Sequence, residues 1–394
     1  MALRLDLPLT AVPALQPAAE AAARLRVCMM VTYDLASPGG GVKHHAQQLA
    51  AALRRIGDHV TIVGPSSAPI KDEDTATFSG VVNIPANGSD NMLGIFASPW
   101  AIAKYFRENR FDVVHVHEPM QPSLSYWSTW LTRHVPHVAT FHAFAEQESR
   151  GFLLARRFWA KTLFPYFQRG IAVSEPAARY ASVTWKKPLA IIPNGVPTDI
   201  FTPPEHHVTN GHVKLLFVGR IGDKRKGARY LFDAYRGLLA NRLPVTLDVV
   251  GELGEAEPPP ELPGLRYHGP VGFDRLTELY RDCDVFVAPS TGQESFGIVL
   301  LEAMSSAKPV VCSDIEGYRQ VAIPEGSYLV PPNDANALAE RLAHVIKLDP
   351  ATRRRQGELN RRAAEHYDWD RLAERVRHEY TAAIAALGAP RGAG

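Results

Sequence analysis

The chain has 394 residues, 46% of them hydrophobic and 21% charged, with a formal net charge of +2. That suits a globular protein long enough for two ordinary domains, and the near-neutral balance gives no global field for nucleic acid. Three cysteines without metal or redox spacing suit a reducing compartment, and no apolar run nears the ~18–20 residues of a membrane helix.

Residues 1–24 are rich in Ala, Pro and Leu, with Arg4 their only early base, and read as a loose extension of a cytoplasmic protein rather than a secretory signal. Residues 25–31 form the first predicted strand, 33–41 a loop ending S-P-G-G-G, 42–56 a helix and 60–63 a second strand. This is the opening of a nucleotide-binding-like α/β domain. Its glycines do not spell G-x-G-x-x-G, which argues against a dehydrogenase. They suit close approach to a ligand or a tight turn equally well. Further strands are expected at 112–117, 137–141, 170–173 and 189–192, with helices at 98–109, 122–131 and 152–164. After a polar connection at 201–211 a second series begins, with strands at 213–218, 245–250, 285–288, 309–312 and 328–330. A final helix, 369 to about 386, has no strand after it. Alternating strands and helices imply parallel, doubly wound sheets in two domains.

The stretch A-P-S-T-G-Q-E-S-F-G-I-V-L-L-E-A-M, residues 288–304, carries the chemistry. Pro289, Ser290 and Gly292 break a buried strand, and a helix is expected over 296–307 with Glu294 at its mouth and Glu302 about two turns on. The backbone N–H groups near Phe296, Gly297 and Ile298 would attract a phosphate, and Gly297 leaves room for a ligand. An ordinary strand–loop–helix would look the same. V-G-R-I-G-D-K-R-K-G, residues 218–227, clusters Arg220, Arg225 and Lys226 ahead of another helix. Such cations are needed where a departing nucleotide diphosphate gathers negative charge, although a solvated basic loop has the same composition. His142 ends a strand as T-F-H-A, where core, cap and functional roles all remain open. His115 and His117 share one face of a strand, a conceivable metal pair whose further ligands are not evident in the sequence.

Taken in order, these motifs resemble the retaining family-4 glycosyltransferases of GT-B fold, over almost all of residues 25–386. The resemblance implies two Rossmann-like doubly wound domains facing across a cleft: an acceptor-side domain at 25–200, a nucleotide-sugar domain at 201–366, and a helix at 367–388 crossing back to the first. It implies Glu294 at the transferred sugar, Glu302 at the ribose, and Arg220 and Lys226 on the pyrophosphate with Arg225 in support. Val271 would lie near the base, with Val299 and the Gly40–Gly41 loop also on the donor side. His142 would hydrogen-bond the sugar and stabilise positive charge at the anomeric carbon, without acting as a nucleophile.

H-V-H-E-P-M-Q-P-S-L at 115–124 and I-P-A-N-G-S at 84–89 look like the phosphatidylinositol mannosyltransferase branch, which uses GDP-mannose. That branch implies an acceptor set of Tyr33, Lys43, His45, Asn87 and His117. No cofactor is obligatory and no metal is expected; magnesium is compatible but not required. Lys104, Arg107 and Arg110 offer a weak contact with an anionic membrane. Arg150, Arg156, Arg157 and Lys161, interleaved with Phe152, Leu153, Phe158 and Trp159, are a second surface, for which a helix packed on its own domain is the simpler reading. The alternative function keeps the fold but takes UDP-glucose or another nucleotide sugar to a different lipid or a soluble sugar phosphate.

Overall fold

The computed structural model describes residues 24–388 apart from 38–39, 87–88, 95–96, 121–123, 144–149, 206–210, 255 and 293. The first domain runs β1 (Arg26–Met30), α1 (Gly41–Arg55), β2 (His59–Pro65), β3 (Thr75–Phe78), β4 (Val81–Ala86), β5 (Ser89–Gly94), α2 (Pro99–Glu108), β6 (Val113–His117), α3 (Leu124–Leu131), β7 (His137–Phe141), α4 (Arg150–Leu163), β8 (Arg169–Ala172), α5 (Glu175–Ser182) and β9 (Leu189–Ile191). The second continues with β10 (Val213–Val218), α6 (Ala228–Ala240), β11 (Val245–Val250), β12 (Leu265–Gly269), α7 (Phe273–Asp282), β13 (Val285–Ala288), α8 (Ile298–Ser305), β14 (Val310–Ser313), α9 (Glu316–Arg319), β15 (Ser327–Val330), α10 (Ala335–Lys347) and α11 (Pro350–Ala364). The last helix is α12 (Trp369–Gly388).

Among the described residues there are two all-parallel sheets, ordered β3-β2-β1-β6-β7-β8-β9 and β12-β11-β10-β13-β14-β15. The doubly wound expectation is met in both domains. Both faces of each sheet are covered, so alternate residues of one strand enter different cores. Val27 and Met29 of β1 pack towards α1, while Cys28 and Met30 join Val114, Val116 and Ile102 on the other side. In the second sheet Leu215 and Phe217 meet α6 and α10, whereas Leu216 and Phe286 meet α7 and α8. This two-sided burial produces the near-continuous apolar runs of the strands.

Helix α12 belongs spatially to the first domain. Trp369, Leu372, Ala373, Val376, Tyr380 and Ala383 lie in one core with Val27, Met29, Leu49 and Leu53. Arg377 pairs with the buried Asp58 at 3.1 Å, and Arg169 of β8 with Glu379 at 2.7 Å.

The structure departs from the sequence expectation in its edge strands β3 and β12, which are not among the strands expected, and in two further details. An antiparallel β4–β5 hairpin, registered Val81↔Gly94 to Ala86↔Ser89, stands where no strands are predicted, because Ser-Asp-Asn-Met carries no apolar alternation. Helix α8 starts two residues late: Gly297 holds φ at +103°, outside the helical region, so the helix opens at Ile298.

Candidate active site

Each sheet reverses its strand order once, between β1 and β6 and between β10 and β13. Loops leaving the carboxyl ends of strands at such a switch point form a crevice, which is where ligands enter open α/β sheets. The predicted motifs leave these four strands: Gly40–Gly41 after β1, His117–Glu118 at the end of β6, Arg220–Lys226 after β10 and Glu294 after β13. Contacts between the domains join the same edges. Arg179 of α5 pairs with Glu316 of α9, the Glu175 N–H donates to Gln320 Oε1 at 3.2 Å, and His44 of α1 lies 6.0 Å from the Phe273 ring that opens α7. The carboxyl edges of the two sheets therefore face one another.

In the second domain the basic loop is tied down from below. Asp223, almost fully buried, receives Arg225 through Nε at 3.0 Å and a terminal nitrogen at 2.6 Å, and Arg220 at 3.4 Å. Burial alone would raise the Asp223 carboxyl, but the Arg225 guanidinium outweighs it and holds the group below its ordinary range. Lys226 Nζ donates to Glu294 Oε1 at 2.5 Å, joining the two motifs. Gly227, at φ +71°, lets this loop lie against the Pro289 carbonyl, where a Cβ would collide. Gly297 does the same over Tyr318, whose ring would sit 2.7 Å from an added Cβ. Tyr318 is held by Ser290 at 2.7 Å. Glu302 is buried, accepts the Tyr280 hydroxyl at 2.7 Å, and is pushed up to about 7 by burial, which the Tyr280 hydrogen bond partly offsets. Phe296 is packed inward against Tyr367, Ile298 and Val299 open α8, and Val271 sits between β12 and α7.

The first-domain site is a group of histidines. His117 Nδ1 and His142 Nε2 share a hydrogen bond of 3.0 Å. His45, on α1, donates from Nδ1 to Asn194 Oδ1 at 2.7 Å and meets Trp369 edge-on at 4.9 Å. Its ring lies 4.6 Å from His142 and 5.4 Å from His117. Glu118, left-handed at φ +55° and buried, accepts the N–H groups of His142 at 2.5 Å and Ala143 at 2.7 Å, which fixes the loop that carries His142. His115 takes no part: Tyr380 and Thr140 occupy both its nitrogens, at 2.7 and 2.6 Å. Burial keeps the imidazoles neutral, lowering His45 to about 4 and His117 and His142 well below their ordinary range.

The remaining expectations divide. Tyr33 bridges to Leu93 of the hairpin beside the β1 loop. Lys43 is buried, with its ammonium on the Ser37 carbonyl. Asn87 lies outside the described residues. Arg156 does not belong to a basic surface, because it is 1% exposed and its guanidinium stacks 4.1 Å from the Tyr180 ring. Asp223, Tyr280, Tyr318 and Asn194 went unpredicted. Only Asp223 carried a local signal, lying two residues before an arginine in a basic loop; the others meet their partners through long-range folding.

Residues 39–200 match the family described as Glycosyltransferase Family 4, and residues 212–347 match Glycosyl transferases group 1. The phosphatidyl-myo-inositol mannosyltransferase of Mycobacterium leprae is 32% identical over 370 residues, covering 90% of this chain and 96% of that protein. Sucrose-phosphate synthase from Thermosynechococcus elongatus superposes with a TM-score of 0.69 at 21% identity, covering 92% of this chain and all of the other. Anabaena HepE in complex with UDP-glucose superposes at 0.66 and 15% identity, covering 91% of this chain and all of the other. These two share the fold.

Proposed function

The chain belongs to the family-4 glycosyltransferases, among which stand the phosphatidyl-myo-inositol mannosyltransferases, and from that premise we propose that it is a retaining enzyme moving mannose from GDP-mannose to a phosphatidylinositol-type lipid. The observation that carries this reading is the Lys226–Glu294 contact at 2.5 Å beside the buried Asp223. It sets a cation for the departing phosphate next to a carboxylate that can hold the sugar. Arg220 and Arg225 complete the positive field, and because Asp223 already orients them, little reorganisation is left for the transition state. His142 faces the sugar as a neutral hydrogen-bonding group. Glu302 holds the ribose, and closure of the domains excludes water so that transfer outcompetes hydrolysis. The chemistry needs no protein nucleophile and no metal.

The lipid acceptor is supported by the surface of α2, α3 and α4. Trp100 is 84% exposed and Phe158 57%, with Trp127 and Trp130 also outward. Lys104, Arg107, Arg157 and Lys161 are exposed on α2 and α4. Exposed aromatic and basic side chains on these helices suit the headgroup region of a bilayer. No described helix is long and apolar enough to cross a membrane.

The test is thermal stabilisation by GDP, GDP-mannose, UDP and UDP-glucose, side by side. A ligand that binds only the folded chain raises Tm by mass action. The expected result is a shift with the guanine pair. A shift with the uridine pair alone discards the donor, and no shift with either discards the donor site.

Glu302 adds a pH dependence. Below about pH 7 its buried carboxyl is protonated, and a ribose diol needs the carboxylate as acceptor, so binding must expel a proton. GDP-mannose, whose esterified pyrophosphate has no group titrating in this range, is therefore expected to bind more weakly at pH 6 than at pH 8, by about tenfold. Calorimetric titration at the two values checks this, with Glu302→Gln as the flat control; a flat wild-type profile would remove the ribose role.

A further inference from the structure

The three histidines at the end of the first sheet make more than a sugar contact. His45, His117 and His142 each offer a ligand nitrogen, and these nitrogens lie within 4.8 Å of one another. They come from α1, β6 and the loop after β7, so the fold gathers them from separate elements. His117 Nε2 is buried and has no hydrogen-bond partner among the described residues, an omission that costs about 1–3 kcal/mol unless a ligand satisfies it. Asn194 takes the proton of His45 on Nδ1, which leaves Nε2 with the lone pair. A metal-binding histidine is oriented in the same way by an outer partner.

We propose that His45, His117 and His142 form a binding site for a divalent ion of the zinc class, and that the ion holds the transferase inactive by occupying the His142 lone pair.

The donor set decides the metal. Three imidazoles and no carboxylate suit zinc, copper, nickel or cobalt, whereas magnesium and calcium need oxygen ligands. Nitrogens about 3.3 Å apart surround a tetrahedral zinc at ~2.0–2.1 Å, so the three ligand nitrogens, now within 4.8 Å of one another, draw together on binding. Rotation about the broad χ2 of histidine supplies that movement. Three protein ligands leave a coordination position for water or a substrate oxygen. The inhibitory consequence rests on the sugar-facing role of His142, but the binding itself does not.

The experiment titrates chelator-stripped full-length protein with Co2+ and follows visible absorption, then displaces the cobalt with Zn2+, all without nucleotide. The expected result is one Co2+ per chain in a low-symmetry site. His45→Asn and His117→Asn should weaken zinc binding by about 100-fold, and Asn194→Ala by about tenfold. Near-UV circular dichroism checks that the variants fold, and Asn194→Ala keeps the test alive if a ligand variant does not. Absence of a stoichiometric cobalt spectrum, or binding indifferent to both histidine substitutions, overturns the site. Zinc inhibition reversed by chelator supports the second half of the proposal. Zinc that binds while transfer continues overturns that half, and neither metal result changes the expected response to GDP.

Discussion

Lys226→Ala is expected to lower kcat for sugar transfer by about 100- to 1,000-fold, the usual cost of removing one preorganised group that stabilises developing charge. Glu294→Gln should fall in the same range, because it gives up both the proposed sugar contact and the group that positions Lys226. The double variant should lose little more than either single one, since residues acting as a unit are not additive. Stability should barely move. Lys226 and Glu294 retain 24% and 19% side-chain exposure, so their ion pair is worth about 1 kcal/mol or less, a few degrees in Tm. Steady-state transfer measured beside a melting curve separates the two readouts. Turnover like the wild type in both single variants would end the leaving-group assignment.

Tyr380→Ala should instead act on the fold. Its ring is fully buried in the first-domain core, and its hydroxyl satisfies His115 Nδ1 at 2.7 Å. Removing a buried aromatic costs about 3–5 kcal/mol, and stranding the His115 nitrogen adds about 1–3 kcal/mol. Tyr380→Phe keeps the packing and should cost only the latter. All six tryptophans lie outside residues 201–366, so urea unfolding followed by tryptophan fluorescence reads the first domain and its crossing helix. A loss under about 1 kcal/mol for the alanine variant would mean that α12 contributes little to that core.

The strands were legible because burial on both faces writes a continuous apolar run, which Val27–Met30 of β1, Val285–Ala288 of β13 and Val310–Cys312 of β14 all show. The second-domain motifs were legible because strand, glycine break and helix fall within a short stretch, so Glu294, Gly297 and Glu302 share one local geometry. What the sequence hid is long-range. His45 meets His117 and His142 only after α1 packs across the sheet, and Asn194 reaches His45 from 149 residues away. Seen along the chain, His115 and His117 look like a pair, but folding gives His115 to Tyr380 and leaves His117 to the other two. Arg156 misled for a related reason: among basic neighbours it reads as solvated, yet stacking on Tyr180 and a hydrogen bond to its carbonyl at 2.6 Å turn it inward.

The position of α12 in the first-domain core has a consequence for biosynthesis. The seven strands of that sheet are complete once Ile191 has been made, but the helix that closes one of its faces begins only at Trp369. At an elongation rate of about 5–20 residues per second, Val27, Leu49 and their neighbours wait on the order of 10–40 s with only α1 on that face and the α12 part of it uncovered. The second domain, whose core takes in Ala364 and Tyr367, is complete only a few residues earlier, so both cores close near the end of synthesis and the amino-terminal sheet waits longest for its last helix.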